Sequence, residues 1–344
     1  MDSMEIRLSG NAHNLYPTDT FYALFWLNDD DAWEVPQQFP FQGEWGEALS
    51  SVISLEEHKR IPERLSIIWL SIVEVKFYEI EYELPADVVA ALLEKYDDSA
   101  YFIVGMAPYG QLSVWISDFA KSSLVCWVRG QEVCVSDEDF SLVCGSGSVK
   151  LHCTQIIDND LNVKGNLHIN GLPPRDLFDN YMKQFIYRYV AKFGKWNGRV
   201  EQWEEYGEKD QLPEFGWIEE ALFDGTHDKL HDGSLMKYHE AGKPKRLAVS
   251  WHIGKAEYSA YFWFEDEGIR EVFDRLYGAH PDTKTDFIIR IDAERRKYEL
   301  ALYRYGLKAP QVIPEDVYQL LVFKNKFEDY RSDNYNQERG AWIW

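Results

Sequence analysis

Basic residues are scarce in this chain. Thirty-six Lys and Arg stand against 58 Asp and Glu, a formal charge of -22 over 344 residues. A nucleic-acid phosphate would meet net repulsion before any local contact formed, so direct DNA or RNA binding is not expected. Cysteine is sparse as well: Cys126, Cys134, Cys144 and Cys153, with seven to nine residues between neighbours, form no C-x-x-C zinc or redox motif. They read as reduced residues in strand-like segments. The spacing alone leaves a disulfide open, and the absence of an export signal argues against one. No run approaches the ~20 apolar residues of a membrane span. The opening MDSMEIRLSGNAHN has neither the basic nor the apolar region of a secretory signal, which makes the cytoplasm the expected compartment.

Chemical signatures are missing too. There is no phosphate-binding loop, no dinucleotide fingerprint and no H-E-x-x-H. Gly145-Ser146-Gly147-Ser148 lacks the following helix and base that a nucleophile elbow needs, and reads as a turn. Carboxylates are too numerous for one acid/base pair to stand out. His227, His231 and His239 gather with Asp228, Asp232 and Glu240. Gly225 and Gly233 bracket the first two, and no general base accompanies them. The expectation is a protein that is not an enzyme and needs no metal and no cofactor.

Aromatic residues are abundant, with 13 Trp, 21 Tyr and 19 Phe. Such a supply serves aromatic-rich sheets, and Trp and Tyr are also favoured in protein-binding surfaces. Acid sits beside Trp at three places: Asp29, Asp30 and Asp31 near Trp33; Glu204 and Glu205 with Trp203; and Glu219 and Glu220 near Trp217. These ten residues are the candidate partner-binding set. Charge would steer a basic partner, and Trp burial would supply affinity. Solubility is the other reading of the acidity.

The sequence also repeats itself. PERLSIIWL from Pro62 and PKRLAVSWH from Pro244 align Arg64, Leu65, Ile67 and Trp69 with Arg246, Leu247, Val249 and Trp251. Alternation over each opening predicts two strands. A helix follows, with Val88, Val89, Leu92 and Leu93 as the apolar stripe in the first copy and Ile269, Val272, Phe273 and Leu276 in the second. Two more strands close each copy. The predicted fold is therefore α+β: two related domains, residues 1–170 and 171–344, each an antiparallel sheet with a packed helix in a β-β-α-β-β repeat. Residues 117–168 read as further strands, with the polar DNDLNVKGN as a linker. The stripe from Leu177 and Phe178 through Tyr189 to Phe193 predicts a long helix ended by Gly194.

YHEAGKPKRLAVSWHIGKAEYSAYFWFED, the later TDFIIRID and the closing RGAWIW resemble the bacterial polymorphic-toxin immunity proteins called Immunity protein family 52. The resemblance rests mainly on residues 238–344. It implies a type VI secretion antidote: a cytoplasmic protein that binds and neutralises a cognate basic nuclease toxin of restriction-endonuclease fold. A hydrolase acting near His227–His239 and a structural adaptor are the competing readings.

Overall fold

The computed structural model describes residues 5–35, 40–49, 53–55, 61–96, 99–118, 120–145, 147–197, 202–205, 214–235, 237–253, 256–278, 280–292 and 297–326. The chain forms two compact units. Met1–Met182 with Asp224–Thr226 make the first, and Lys183–Phe223 with His227–Trp344 make the second, so the division falls beyond the expected cut near residue 170.

The first unit contains β1 (Glu5–Ala12), β2 (Thr18–Trp26), β3 (Ala32–Glu34), β4 (Ile53–Leu55), β5 (Arg64–Ser71), β6 (Lys76–Glu83), α1 (Ala86–Leu93), β7 (Ser99–Met106), β8 (Gln111–Ser117), β9 (Ser122–Arg129), β10 (Gln131–Val133), α2 (Asp137–Cys144), α3 (Val149–Asn159), α4 (Leu161–Asn170) and α5 (Leu177–Tyr181). Its strands pair as β4-β1-β7-β8-β9 and as β10-β6-β5-β2-β3. All pairs are antiparallel except β1 with β7, which runs parallel from Glu5↔Ser99 to Ala12↔Met106. The inner faces meet through Leu8, Phe102, Val104 and Val114 on one side and Phe25, Leu65, Ile67 and Trp69 on the other. Phe25 and Phe102 touch edge to face at 5.7 Å between ring centroids. Helix α1 closes the layer with Val89, Leu92 and Leu93, the stripe its periodicity predicts. Gly105 is required where it stands, because a Cβ there would lie 2.3 Å from the Trp115 ring.

The second unit contains β11 (Phe185–Asn197), β12 (Gln202–Glu205), β13 (Glu214–Leu222), β14 (His227–His231), α6 (Asp232–Leu235), β15 (His239–Ala241), β16 (Pro244–Ile253), β17 (Ala256–Phe264), α7 (Asp266–Tyr277), β18 (Thr285–Asp292), β19 (Lys297–Arg304), β20 (Gln311–Val312) and β21 (Tyr318–Lys326). One sheet runs β14-β13-β16-β17-β21. The other runs β12-β11-β18-β19-β20, with β15 also on β11 and β11–β18 as the parallel pair. Trp251 meets Phe193 and Tyr298 across the layer, and α7 packs Phe273 and Tyr277 on Phe185. Glu265 caps α7 by accepting from the Gly268 N–H at 2.7 Å.

The secondary structure is mixed α+β with mostly antiparallel pairing. Over 62–117 and 244–304 the elements come in the same order, hairpin, helix, hairpin. Three expectations need correction. Each unit holds two sheets, because the second hairpin of each segment leaves the first and pairs in parallel with β1 or β11. The long helix over 177–193 ends at Tyr181. Phe185, Tyr187 and Tyr189 are buried and alternate with less buried partners, so β11 is a strand: an aromatic and β-branched run satisfies both periods, and sheet pairing decides. The strands expected over 137–168 are helices α2 to α4, which place Cys144 and Cys153 on helices. Asp160, in the expected linker, caps α4 by accepting from the Asn162 and Val163 amides. These helices bury only Phe140, Val149, Cys153 and Val163, too few for a legible stripe.

Candidate protein-binding surfaces

Strand alternation sorts the aromatics of the β14-β13-β16-β17-β21 sheet onto two faces. Val249, Trp251, Ala260 and Phe262 point into the layer and are fully buried. Trp217, Tyr261, Trp263 and Phe323 alternate to the outer face. Trp263 stacks on Tyr261 at 5.8 Å, and Phe323 meets the same Tyr261 edge-on at 5.5 Å. Trp263 keeps 39% of its surface exposed. Lys229 lies 4.4 Å above the Trp217 ring, and Arg246 pairs with Glu219 at 3.1 Å. Partly exposed rings between satisfied charges make a face able to bury apolar area without leaving an unpaired charge.

In the first unit the outer face of the β2-β5-β6 sheet is covered. There the outer side of β2, β5 and β6 carries Phe21, Ile68, Leu70 and Phe77, and α2 and α3 cover it with Phe140, Val149 and Cys153. Beneath them, Asp19 is 1% exposed and hydrogen-bonds His152 Nε2. Burial raises the Asp19 pKa above the ordinary carboxylate value, and the His152 bond and charge only partly offset this. Among the described residues of the second unit, no helix covers the outer face of β13, β16 and β17 in this way.

The sequence-predicted residues are dispersed. Asp29, Asp30 and Asp31 form the exposed turn between β2 and β3, where the Asp30 N–H donates to Asn28 Oδ1 at 2.9 Å. Trp33 does not join them: at 7% exposure it lies in the core of the first unit, because it alternates inward opposite Phe25. Trp203 faces Trp196 at 6.3 Å, and Glu205 is exposed and pairs with Lys192 at 2.9 Å. The Glu204 side chain lies outside the described residues. Trp217 and Glu219 share the outer face of β13. Tyr261, Trp263 and Phe323 were not singled out in the sequence, since in AEYSAYFWF aromatics occupy both parities and hide the alternation.

Glu220 is corrected from surface to interior, 4% exposed, because it takes the other parity of β13. It accepts a hydrogen bond from Tyr189 Oη at 2.5 Å, and His239 Nε2 stands 3.7 Å from its other oxygen. Burial and the Glu220 charge hold the Tyr189 phenol well above its ordinary range. For His239, burial acts downward, but the nearby Glu220 carboxylate outweighs it and raises the imidazole above 6.5. His227 and His231 do not converge with His239, for they stand opposite Ala221 and Trp217 on the outer face while His239 packs on Tyr187. Among the described residues no group of three or more His, Cys, Asp or Glu is arranged to hold a metal ion. No described helix is long and apolar enough to cross a membrane.

A raised folded-state pKa means that His239 stabilises the protein fully below pH 6.5 and loses that contribution as pH rises through the folded value. His239→Gln is therefore expected to lower stability more at pH 5.5 than at pH 8.5. Urea denaturation at the two pH values checks it; an equal loss at both would remove the Glu220–His239 pairing from the account.

A family model described as "Protein of unknown function (DUF2931)" matches residues 13–173, from the turn after β1 to the residues just past α4. No curated protein and no solved structure matches the chain.

Proposed function

We propose that this protein is an immunity protein, an antidote that binds a basic nuclease toxin in the cytoplasm and blocks it without chemical change. We further propose that its two units are copies of one domain. The shared order of hairpin, helix and hairpin supports the duplication, as does a parallel pair at the same place in each unit, β1–β7 and β11–β18.

The observation that carries the binding role is the contrast between outer faces. One copy covers its face with its own helices α2 and α3; the other presents Trp217, Tyr261, Trp263 and Phe323. A partner segment laid on that face would bury aromatic surface that the first copy buries internally. Rings of this kind are the usual centres of binding energy at protein interfaces. The net charge of -22 supports a partner with a basic working surface and a fast, steered encounter. The likeness of residues 238–344 to immunity proteins supports the identity of that partner as a toxin.

The test is a kinetic binding titration, by surface plasmon resonance, against the nuclease toxin that this reading expects beside the gene. A dissociation constant of about 10 nM or tighter is expected, with an association rate that falls as salt rises. Absence of binding at micromolar concentrations removes the antidote reading.

A further inference from the structure

The first unit carries a groove of about 870 Å³ between the end of β2, the start of β5 and helix α1, with Leu27, Pro62, Leu84, Glu63, Glu83 and Asp87 in its lining. Its floor is apolar and fixed, since Leu27, Pro62 and Leu84 are buried. Three backbone hydrogen bonds stitch its walls together: the Glu63 N–H to the Trp26 carbonyl, the Leu84 N–H to the Glu63 carbonyl, and the Leu27 N–H to the Asp31 carbonyl, each at 2.8 Å. The rim is acidic, with Glu63, Glu83 and Asp87 exposed, and Asn28 leads directly into Asp29, Asp30 and Asp31. Among the described residues no Lys, Arg or His lines it and none forms an ion pair with these rim carboxylates; Arg64, opposite Glu83 in the β5–β6 register, reaches Glu81 instead. Elsewhere on the same unit carboxylates do find cations, as Glu132 finds Lys76 and Asp179 finds Arg129.

We infer that this groove is a docking site for a Lys- or Arg-bearing segment of a partner protein, with apolar residues beside the basic ones. The inference rests on the proposed binding role and names the chemistry of the bound segment. A long basic side chain lays its methylene stem along an apolar floor and holds its charged head at a wet rim. Leu27 and Leu84 meet the first requirement; Glu63, Glu83 and Asp87 meet the second. An acidic segment would add like charge to these three carboxylates, and a neutral one would leave them unpaired by the partner.

The probe is a short fluorescein-labelled peptide alternating leucine and arginine, followed by anisotropy with the full chain. Binding is expected to weaken about tenfold in the variant Glu63→Gln, Glu83→Gln, Asp87→Asn. A control variant removes the same charge elsewhere: Glu138→Gln, Glu271→Gln, Asp274→Asn. It should bind within about twofold of the unchanged protein, because distant exposed charges are screened. A peptide alternating leucine and glutamine should bind far more weakly. Equal weakening by both variants, or equal binding of the glutamine peptide, overturns the site. Because no toxin is present, failure here leaves the toxin titration standing, and failure of that titration leaves this result standing. All six positions are exposed, and matched thermal unfolding curves establish that the variants fold.

Discussion

Asp19→Ala is expected to destabilise the protein by about 1–3 kcal/mol, the cost of leaving the buried partner of a hydrogen bond unsatisfied. The carboxylate is 1% exposed among Leu70, Phe77, Phe140 and Cys153, and it bonds the His152 ring of α3. Its Oδ1 finds no hydrogen-bond partner, so the group depends on His152. His152→Ala should cost a similar amount, with a pH signature. It leaves a buried carboxyl whose folded pKa stands above 3.8, and an acid shifted upward loses stability as pH rises past its ordinary value. His152→Ala should therefore be more harmful at pH 7 than at pH 4.5. Replacing both residues by Leu should recover part of the loss, because an apolar pair leaves no charge stranded. Urea denaturation of the three variants decides it. Losses below about 1 kcal/mol would mean that α2 and α3 are held by apolar packing alone.

The largest effect on binding is expected from Trp217→Ala with Trp263→Ala. Each ring, if central to the interface, accounts for about 2 kcal/mol or more, so the pair should weaken the toxin complex on the order of a thousandfold. Folding should change little, because both rings lie on the outer face and the core beneath belongs to Val249, Trp251 and Phe262. Charge reversal is a poorer test at one predicted position. Glu220→Lys would bury a cation beside Tyr189 and unfold the unit, whereas Glu219→Lys and Glu205→Lys alter the surface alone. Reversal of the exposed Glu94, Glu271 and Asp274, at the end of helix α1 and on helix α7, is the control. Undiminished binding by the double Trp variant would place the interface elsewhere.

What the sequence made legible follows its periodicity. Helix α7 announced itself through the stripe Ile269, Val272, Phe273 and Leu276, and α1 through Val89, Leu92 and Leu93. Both hairpins of each copy were readable from alternation. Residues 185–197 were not, because Phe185, Tyr187, Tyr189 and Val190 satisfy a helical stripe as well as a strand, and only pairing with β18 settles the choice. Sheet membership was equally hidden: nothing local to Ser99–Met106 indicates that it pairs with β1. For the surface, composition located acid and Trp together but not their parity. Trp217 and Glu219 face out while Glu220 faces in, one residue away, and Trp33 disappears into a core. The Asp19–His152 bond joins residues too far apart in sequence for any local pattern to register.

The central claim is that protection works by binding rather than by chemistry. A nuclease toxin encoded beside the gene, which the antidote proposal requires, should be titrated with the purified protein, DNA cleavage followed throughout, and the toxin's mass measured at the end. The account predicts that cleavage falls to zero near one equivalent, that the toxin's mass is unchanged, and that activity returns when the complex is dissociated. Full cleavage in the presence of excess protein, or a toxin left inactive and altered in mass, would contradict it.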